Sequence, residues 1–272
     1  HYKSRHMSWL HCFWGVGTIV SPFIMSACLT GTQGWPGGYR IVSYIQFALG
    51  AVLFLSLPLW KKRPGAELSA KPLTLPQTLR LRGVAFMLIG FFAYSAVVAT
   101  AMTWASSYLT EFRGVSAERA AMFGSLFFIG ITAGRLLSGF VSERLGDRTL
   151  IRLGIGVIVA GIVLIALPVR TDVCALAGFV VVGFGCAPVY PSIIHATPEH
   201  FGPACSQAMI GVQMASAYVG TCLMPPFFGL LANHIGVSLL PGYLLVILAL
   251  MTASHEGLLR RTAGRPAESA AC

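Results

Sequence analysis

The chain has 272 residues, of which 56% are hydrophobic and only 10% charged, with a mean hydropathy of +0.74 and a formal net charge of +10. Soluble domains carry about a quarter charged residues, so the composition excludes a water-facing globular surface and points to the bilayer as solvent. Apolar runs are long and continuous rather than alternating, which favours membrane helices over barrel strands.

A helix needs roughly 20 mostly apolar residues to cross the bilayer. Polar breaks delimit eight such stretches, at about 9–29, 39–60, 83–109, 120–142, 149–169, 173–195, 207–231 and 238–258. The expected fold class is an all-α polytopic membrane protein with eight transmembrane helices.

The first predicted helix contains LHCFWGVGTIVSP, residues 10–22, with His11 and Trp14 near its inner end. His11 is a candidate to bond substrate or to titrate, with a packing histidine as the other reading. Trp14 is a second candidate for substrate contact. The same helix opens an internal echo. Val16-Gly17-Thr18, Pro22 and Gly38-Tyr39 recur as Val219-Gly220-Thr221, Pro225 and Gly242-Tyr243 in the last two helices. A mid-helix Gly admits close backbone approach and a Pro kinks the helix, so their repetition at one spacing suggests duplication. The predicted helices between the two pairs then require a copy before residue 1. The expectation is a twelve-helix protein in two six-helix halves, a known transporter plan. This chain would hold the last pair of the first half (1–60) and all of the second (83–262).

Between them, residues 61–82 carry Lys61, Lys62, Arg63 and Glu67 with Pro64, Pro72 and Pro76, and read as a linker between halves. Residues 263–272 read as a tail. Fourteen of the 19 basic residues fall on one side of the predicted helices, among them Lys61, Lys62, Arg80, Arg144, Arg148, Arg152, Arg260 and Arg261. The opposite side holds Arg40, Arg113, Arg119 and Arg170, and Arg135 lies inside a helix. Basic loops stay cytoplasmic, which places both termini and the linker inside a cell (inner or plasma) membrane. Charge spread in this way argues against nucleic acid as a partner.

The third predicted helix carries Tyr94, Thr100, Thr103, Trp104, Ser107 and Tyr108, a face too polar for lipid alone. Tyr108 reads as an interfacial anchor, whereas Tyr94 and Trp104 lie deeper and are candidates to stack on a sugar-like or aromatic ligand. In the sixth, GFGCAPVYPSIIH, residues 183–195, places Gly183, Gly185, Pro188 and Pro191 close together. A break or bend is expected there, with Tyr190 facing a cavity. The seventh offers Gln213, Ser216 and Gly220 on one face, and Gln213 is the strongest polar candidate.

Every acid falls in a loop or near a helix end. If transport is proton-coupled, the titrating group must lie outside these eight helices, or a His must serve. The seven cysteines are scattered without zinc spacing, and neither a metal nor a cofactor is expected.

Between the fourth and fifth helices runs GRLLSGFVSERLGDRTLIR, residues 134–152. Gly130, Gly134 and Gly139 give a small-residue packing face. The turn beyond it packs acids and bases alternately, which suits a network of ion pairs. Gly139, Glu143, Arg144, Gly146 and Arg148 fit the pattern G-x-x-x-[DE]-R-x-G-x-[RK]. This resembles the loop signature of the major facilitator superfamily, found between the second and third helices of each half. Asp147 departs from it, standing where a basic residue is common.

The resemblance implies a fold like helices 5–12 of that superfamily, with these five residues acting in conformational switching. The stretch 10–22 is similar to the fifth helix of the fucose–proton symporter branch, although Ser8 replaces the usual Asn. The function so implied is alternating-access transport of a small polar organic solute, sugar-like or an organic acid, with a proton as one admissible coupling ion. A monomer is the expected functional unit of the complete protein. A membrane-embedded enzyme or haem electron carrier is the alternative, and the peripheral histidines count against haem.

Overall fold

The computed structural model describes residues 4–32, 34–60, 74–168, 172–202 and 205–262. Eight helices follow in chain order: α1 Ser4–Thr30, α2 Gly34–Ser56, the short α3 Leu75–Arg80, α4 Val84–Ser107, α5 Ala117–Ala166, α6 Val173–Phe201, α7 Ser206–His234 and α8 Leu240–Thr262. α5 is two spans in one. Gly146, at φ 72° and ψ 160°, interrupts it with a conformation open essentially only to glycine. Each arm, 117–145 and 147–166, has the roughly 20 residues that a span needs. With the arms counted separately, the described residues contain the eight long helices expected from the sequence.

Several helix boundaries follow from local chemistry. α3 opens with a capping box in which the Thr74 backbone N–H donates to Gln77 Oε1 at 2.9 Å, with Pro76 in the first turn. Pro241 and Gly242 do not weaken the start of α8. A short 3₁₀ turn, Val237–Leu239, precedes it, and Pro241 sits in the first turn, where its missing N–H costs nothing. α4 ends in a wide π turn, Tyr108–Phe112. Beyond this turn, Arg113 Nη2 donates to the Ile165 and Leu167 carbonyls at 2.7 and 2.5 Å, capping the end of α5.

The chain divides into two compact units, residues 14–71 and residues 1–13 with 72–272. One boundary falls beyond α2, between 71 and 72, and the other inside α1, where Trp9 and His11 pack on α5 and α6. In the smaller unit, α1 and α2 approach each other at Gly38, which lies so close to Met25 that a Cβ would come within 2.6 Å of its sulfur. Of the expected linker, residues 61–73 lie outside the described residues, as do residues 263–272 of the expected tail.

In the larger unit, α6 is gripped by both arms of α5. On the first arm, Gly134 lies where a Cβ would meet the Phe184 carbonyl at 2.8 Å. On the second, Gly185 faces the Gly154 carbonyl and Gly178 the Gly161 carbonyl, both at 2.8 Å from a built Cβ. Water supplies no hydrophobic drive between helices in lipid, so close van der Waals packing of this kind holds the bundle together. α4 packs on α7 and α8, with Gly220 of α7 seated against the Phe92 carbonyl. Phe91, Phe127, Phe179, Phe228, Ile158 and Ile162 fill the centre.

The expected break in α6 does not occur. Pro188, Pro191 and Pro198 all lie within one continuous helix. Membrane helices tolerate proline in this way, and Tyr94 Oη adds a second donor to the Cys186 carbonyl, in the turn that carries Pro188, at 2.9 Å. In α7, which carries Pro225 and Pro226, Trp104 Nε1 and Tyr243 Oη donate to the Pro225 and Met224 carbonyls, each at 3.0 Å.

Candidate functional site

The larger unit buries a cation deep in a helix. Arg135, in the middle of the first arm of α5, is 6% exposed, and its Nη1 donates to the His11 carbonyl at 3.0 Å. The Tyr94 hydroxyl lies within hydrogen-bonding reach of the same guanidinium. Charges inside a span are costly and mark function by default.

Aromatic side chains cluster with His11, whose carbonyl holds this cation. The His11 ring meets Tyr190 edge-on, with centroids 4.9 Å apart, and Phe91 lies 5.1 Å from Tyr190 on another side. Tyr94 stacks on Phe91 at 6.1 Å and is tilted against Tyr190 at 6.2 Å. The Tyr190 hydroxyl donates to Met214 Sδ at 3.2 Å. A thioether is a weak acceptor, so this hydroxyl gains when a carboxylate or another oxyanion takes the sulfur's place. Chemically, the cluster offers a fixed guanidinium fork, an exchangeable hydroxyl donor and apolar ring faces.

Of the residues expected at a site, His11, Tyr94 and Tyr190 come together here. Gln213 lies on α7, fully buried, one residue before Met214. Thr197 Oγ1 contacts its Oε1 at 3.1 Å, and its Nε2 has no hydrogen-bond partner. Trp104 is engaged elsewhere: its indole N–H holds the Pro225 carbonyl, and its ring packs on Phe228 at 5.2 Å and beside Gly229. Trp14 belongs to the smaller unit and is about half exposed. Ser216, expected beside Gln213, donates to the Leu88 carbonyl at 2.8 Å.

A search for acids in helix interiors passes over Arg135. The same desolvation cost, applied to bases, picks it out of GITAGRLLSG.

The charged turn behaves differently from a self-contained network. Arg148 reaches α6 and pairs with Glu199 at 2.7 Å, while Arg152 grips Glu256 of α8 through two bonds of 2.8 Å. Asp147 pairs with His195 Nδ1 at 2.6 Å. Gly139 is packed against the Trp9 indole, Gly146 makes the bend, and Glu143 and Arg144 are exposed. Asp147, which departs from the family pattern, is thus wired to a histidine of α6. Spacing within 134–152 gives no hint of Glu199 or Glu256, because both partners come from distant helices.

The Major Facilitator Superfamily model matches residues 1–225 and 113–269. The chain belongs to the major facilitator superfamily. It is 27% identical over 256 residues to an uncharacterized MFS-type transporter of Yersinia pestis, covering 93% of this chain and 64% of that protein. It is 24% identical to a probable nitrate/nitrite antiporter of Thermus thermophilus, covering 86% and 59% respectively. The chain therefore spans less than two thirds of the length of these curated relatives. Among solved structures, the fold matches the MFS transporter FucP in its outward conformation, with TM-score 0.72 and 13% identity over 94% of this chain and 68% of that one. A point variant of FucP, the E. coli fucose:proton symporter, matches with TM-score 0.73, also at 13% identity and with the same coverage. Like other major facilitators, this is an integral membrane protein of a transporter family.

Proposed function

We propose that the protein is a secondary transporter of a small anionic solute, an organic acid or comparable oxyanion, working by alternating access. One observation carries the reading: the Arg135 guanidinium, buried in a span and bonded to the carbonyl of His11, whose ring clusters with Tyr190 and Tyr94. A guanidinium binds a carboxylate or oxyanion in a planar, bidentate way, and such charge-assisted bonds are roughly twice as strong as neutral ones. A neutral sugar offers no charge to match the guanidinium. The probable nitrate/nitrite antiporter among the relatives handles anions by its name, which supports the anionic member of the two solute classes over the sugar-like one.

Tyr190 completes the binding group by exchanging Met214 sulfur for a solute oxygen, and His11 offers its ring edge. Gln213 adds a buried amide one residue from Met214. At the other end of the bundle, Arg148–Glu199 and Arg152–Glu256 clamp α5 to α6 and α8 and open as the protein changes state. The basic loops support a cytoplasmic position for this end and for both termini, in a cell membrane.

The test is uptake by full-length protein in proteoliposomes, with panels of organic-acid anions, inorganic oxyanions and neutral sugars. Saturable anion uptake that weakens sharply in Arg135→Gln is expected. Uptake of sugars alone would reject the reading.

A further inference from the structure

Toward the basic end of the bundle, and meeting the Arg135 cluster at Phe91, a small, largely apolar pocket lies between α4, the second arm of α5, α6 and α8. Phe86, Ile151, Ile193 and Met251 contribute to its wall, together with two imidazoles, His200 and His255. His255 is 9% exposed, and its Nε2 has no hydrogen-bond partner. A buried polar atom in this state gains from any proton, water or donor that reaches it.

The neighbouring hydroxyl fixes the tautomer of His200. Thr262 Oγ1 gives its one proton to the Leu258 carbonyl at 3.0 Å, so toward His200 Nδ1, also at 3.0 Å, it can only accept. Nδ1 therefore carries the proton of the neutral ring, and Nε2 is left as a base.

Both histidines stand beside a clamp. His200 follows Glu199, which holds Arg148 at 2.7 Å, and His255 precedes Glu256, which holds Arg152 at 2.8 Å. From α6 and the bend of α5, the His195–Asp147 pair completes this layer. On α8, Arg260 acts on Glu256, and Arg261 lies over the Phe86 ring at 5.9 Å. The α4 side contributes Phe86, Met87, Gly90 and Phe91.

We propose that His200 and His255 form a proton-binding site whose occupation loosens the Arg148–Glu199 and Arg152–Glu256 clamps. A proton from water adds to one imidazole nitrogen and gives an imidazolium. That cation repels Arg148 and Arg152 and offers Glu199 and Glu256 a rival partner. Two imidazoles in one small low-dielectric pocket resist a second charge, so the pair takes up a single proton. The site stands without reference to the solute, and only its link to flux rests on the transporter reading.

The experiment is hydrogen–deuterium exchange of the full-length protein in lipid nanodiscs between about pH 8 and about pH 5.5, corrected for intrinsic exchange. Peptides covering 148–156 and 254–262 are expected to exchange about tenfold faster at the acid end. The rise is expected to vanish in His200→Gln/His255→Gln and to persist in His195→Gln, with α4 equally protected in every case. A flat wild-type profile overturns the proposal on its own, even if the double variant fails to fold. So does a rise retained in the double variant, or one that depends on His195 instead. A flat profile alongside intact solute flux rejects the proton site and leaves the transporter reading standing. Acid-driven loosening in a protein that moves no solute supports the site and rejects that reading.

Discussion

Arg135 Nη1 donates to the His11 carbonyl at 3.0 Å, joining residues 124 positions apart and fixing a guanidinium inside the bundle. The bond orients the fork without neutralising it, because a backbone carbonyl carries no net charge. Replacing Arg135 with Gln removes the charge and keeps a donor. Loss of a charge-assisted hydrogen bond costs about 1.5–3 kcal/mol, so solute affinity should fall roughly 10- to 100-fold. Arg135→Lys should restore it only in part, because an ammonium cannot reproduce the planar fork. Concentration-dependent uptake or direct binding measures both variants.

Gln213 and Thr197 meet at 3.1 Å, but Thr197 also reaches the Ile193 carbonyl at 3.0 Å, and one hydroxyl proton serves one acceptor at a time. With Nε2 unpartnered as well, the buried amide is poorly satisfied. Gln213→Leu should therefore leave thermal stability unchanged or raise it by about 1 kcal/mol, while solute uptake falls severalfold. A variant that melts earlier and transports normally would assign Gln213 to the scaffold.

Glycine contacts predict a sharp contrast along α5 and α6. A Cβ on Gly185 would come within 2.7 Å of Ile158 N and 2.8 Å of the Gly154 carbonyl, both backbone atoms that cannot swing aside. Gly185→Ala should destabilise the bundle by about 1–3 kcal/mol, the usual cost of overpacking. Gly156, with nothing within 4 Å of the same position, is the control. Gly156→Ala should be neutral or stabilising by about 0.5–1 kcal/mol through helix propensity. Melting of the purified protein in detergent or nanodiscs reads out the difference.

Gly146 tests the bend itself. Its surroundings leave room for a methyl group, so any cost of Gly146→Ala must come from the backbone, at φ 72° and ψ 160°. A cost of about 1–3 kcal/mol is expected. Because Asp147 and Arg148 follow directly, the variant should also weaken their pairing with His195 and Glu199. Faster amide exchange at the end of α6 would report this; a variant as stable as wild type would show that the turn relaxes freely.

Apolar continuity made the layout of the spans legible in the sequence, since a bilayer demands long, internally hydrogen-bonded helices. Gly130, Gly134 and Gly139 were readable as a packing face because spacing on one helix is a local property. The glycine partners on α6 were not, and neither were Glu199 and Glu256, because long-range contacts leave no mark on local spacing. That α6 runs unbroken through its prolines was not legible either, because sequence shows the lost N–H groups but not the neighbouring helices packed around them. The tie between the Trp104 indole N–H and the Pro225 carbonyl was equally illegible, because its acceptor lies 121 positions away. Arg135 was legible as a base inside a span, but its bond to the His11 carbonyl was not, since the partner lies 124 positions away.

The most direct measurement of the central claim is uptake into proteoliposomes by the full-length protein, comparing a labelled organic-acid anion with a labelled neutral sugar, for wild type and Arg135→Gln. The account predicts saturable anion uptake in wild type, loss of most of it in the variant, and no sugar uptake in either. Sugar uptake without anion uptake, or anion uptake that Arg135→Gln leaves unchanged, would contradict it.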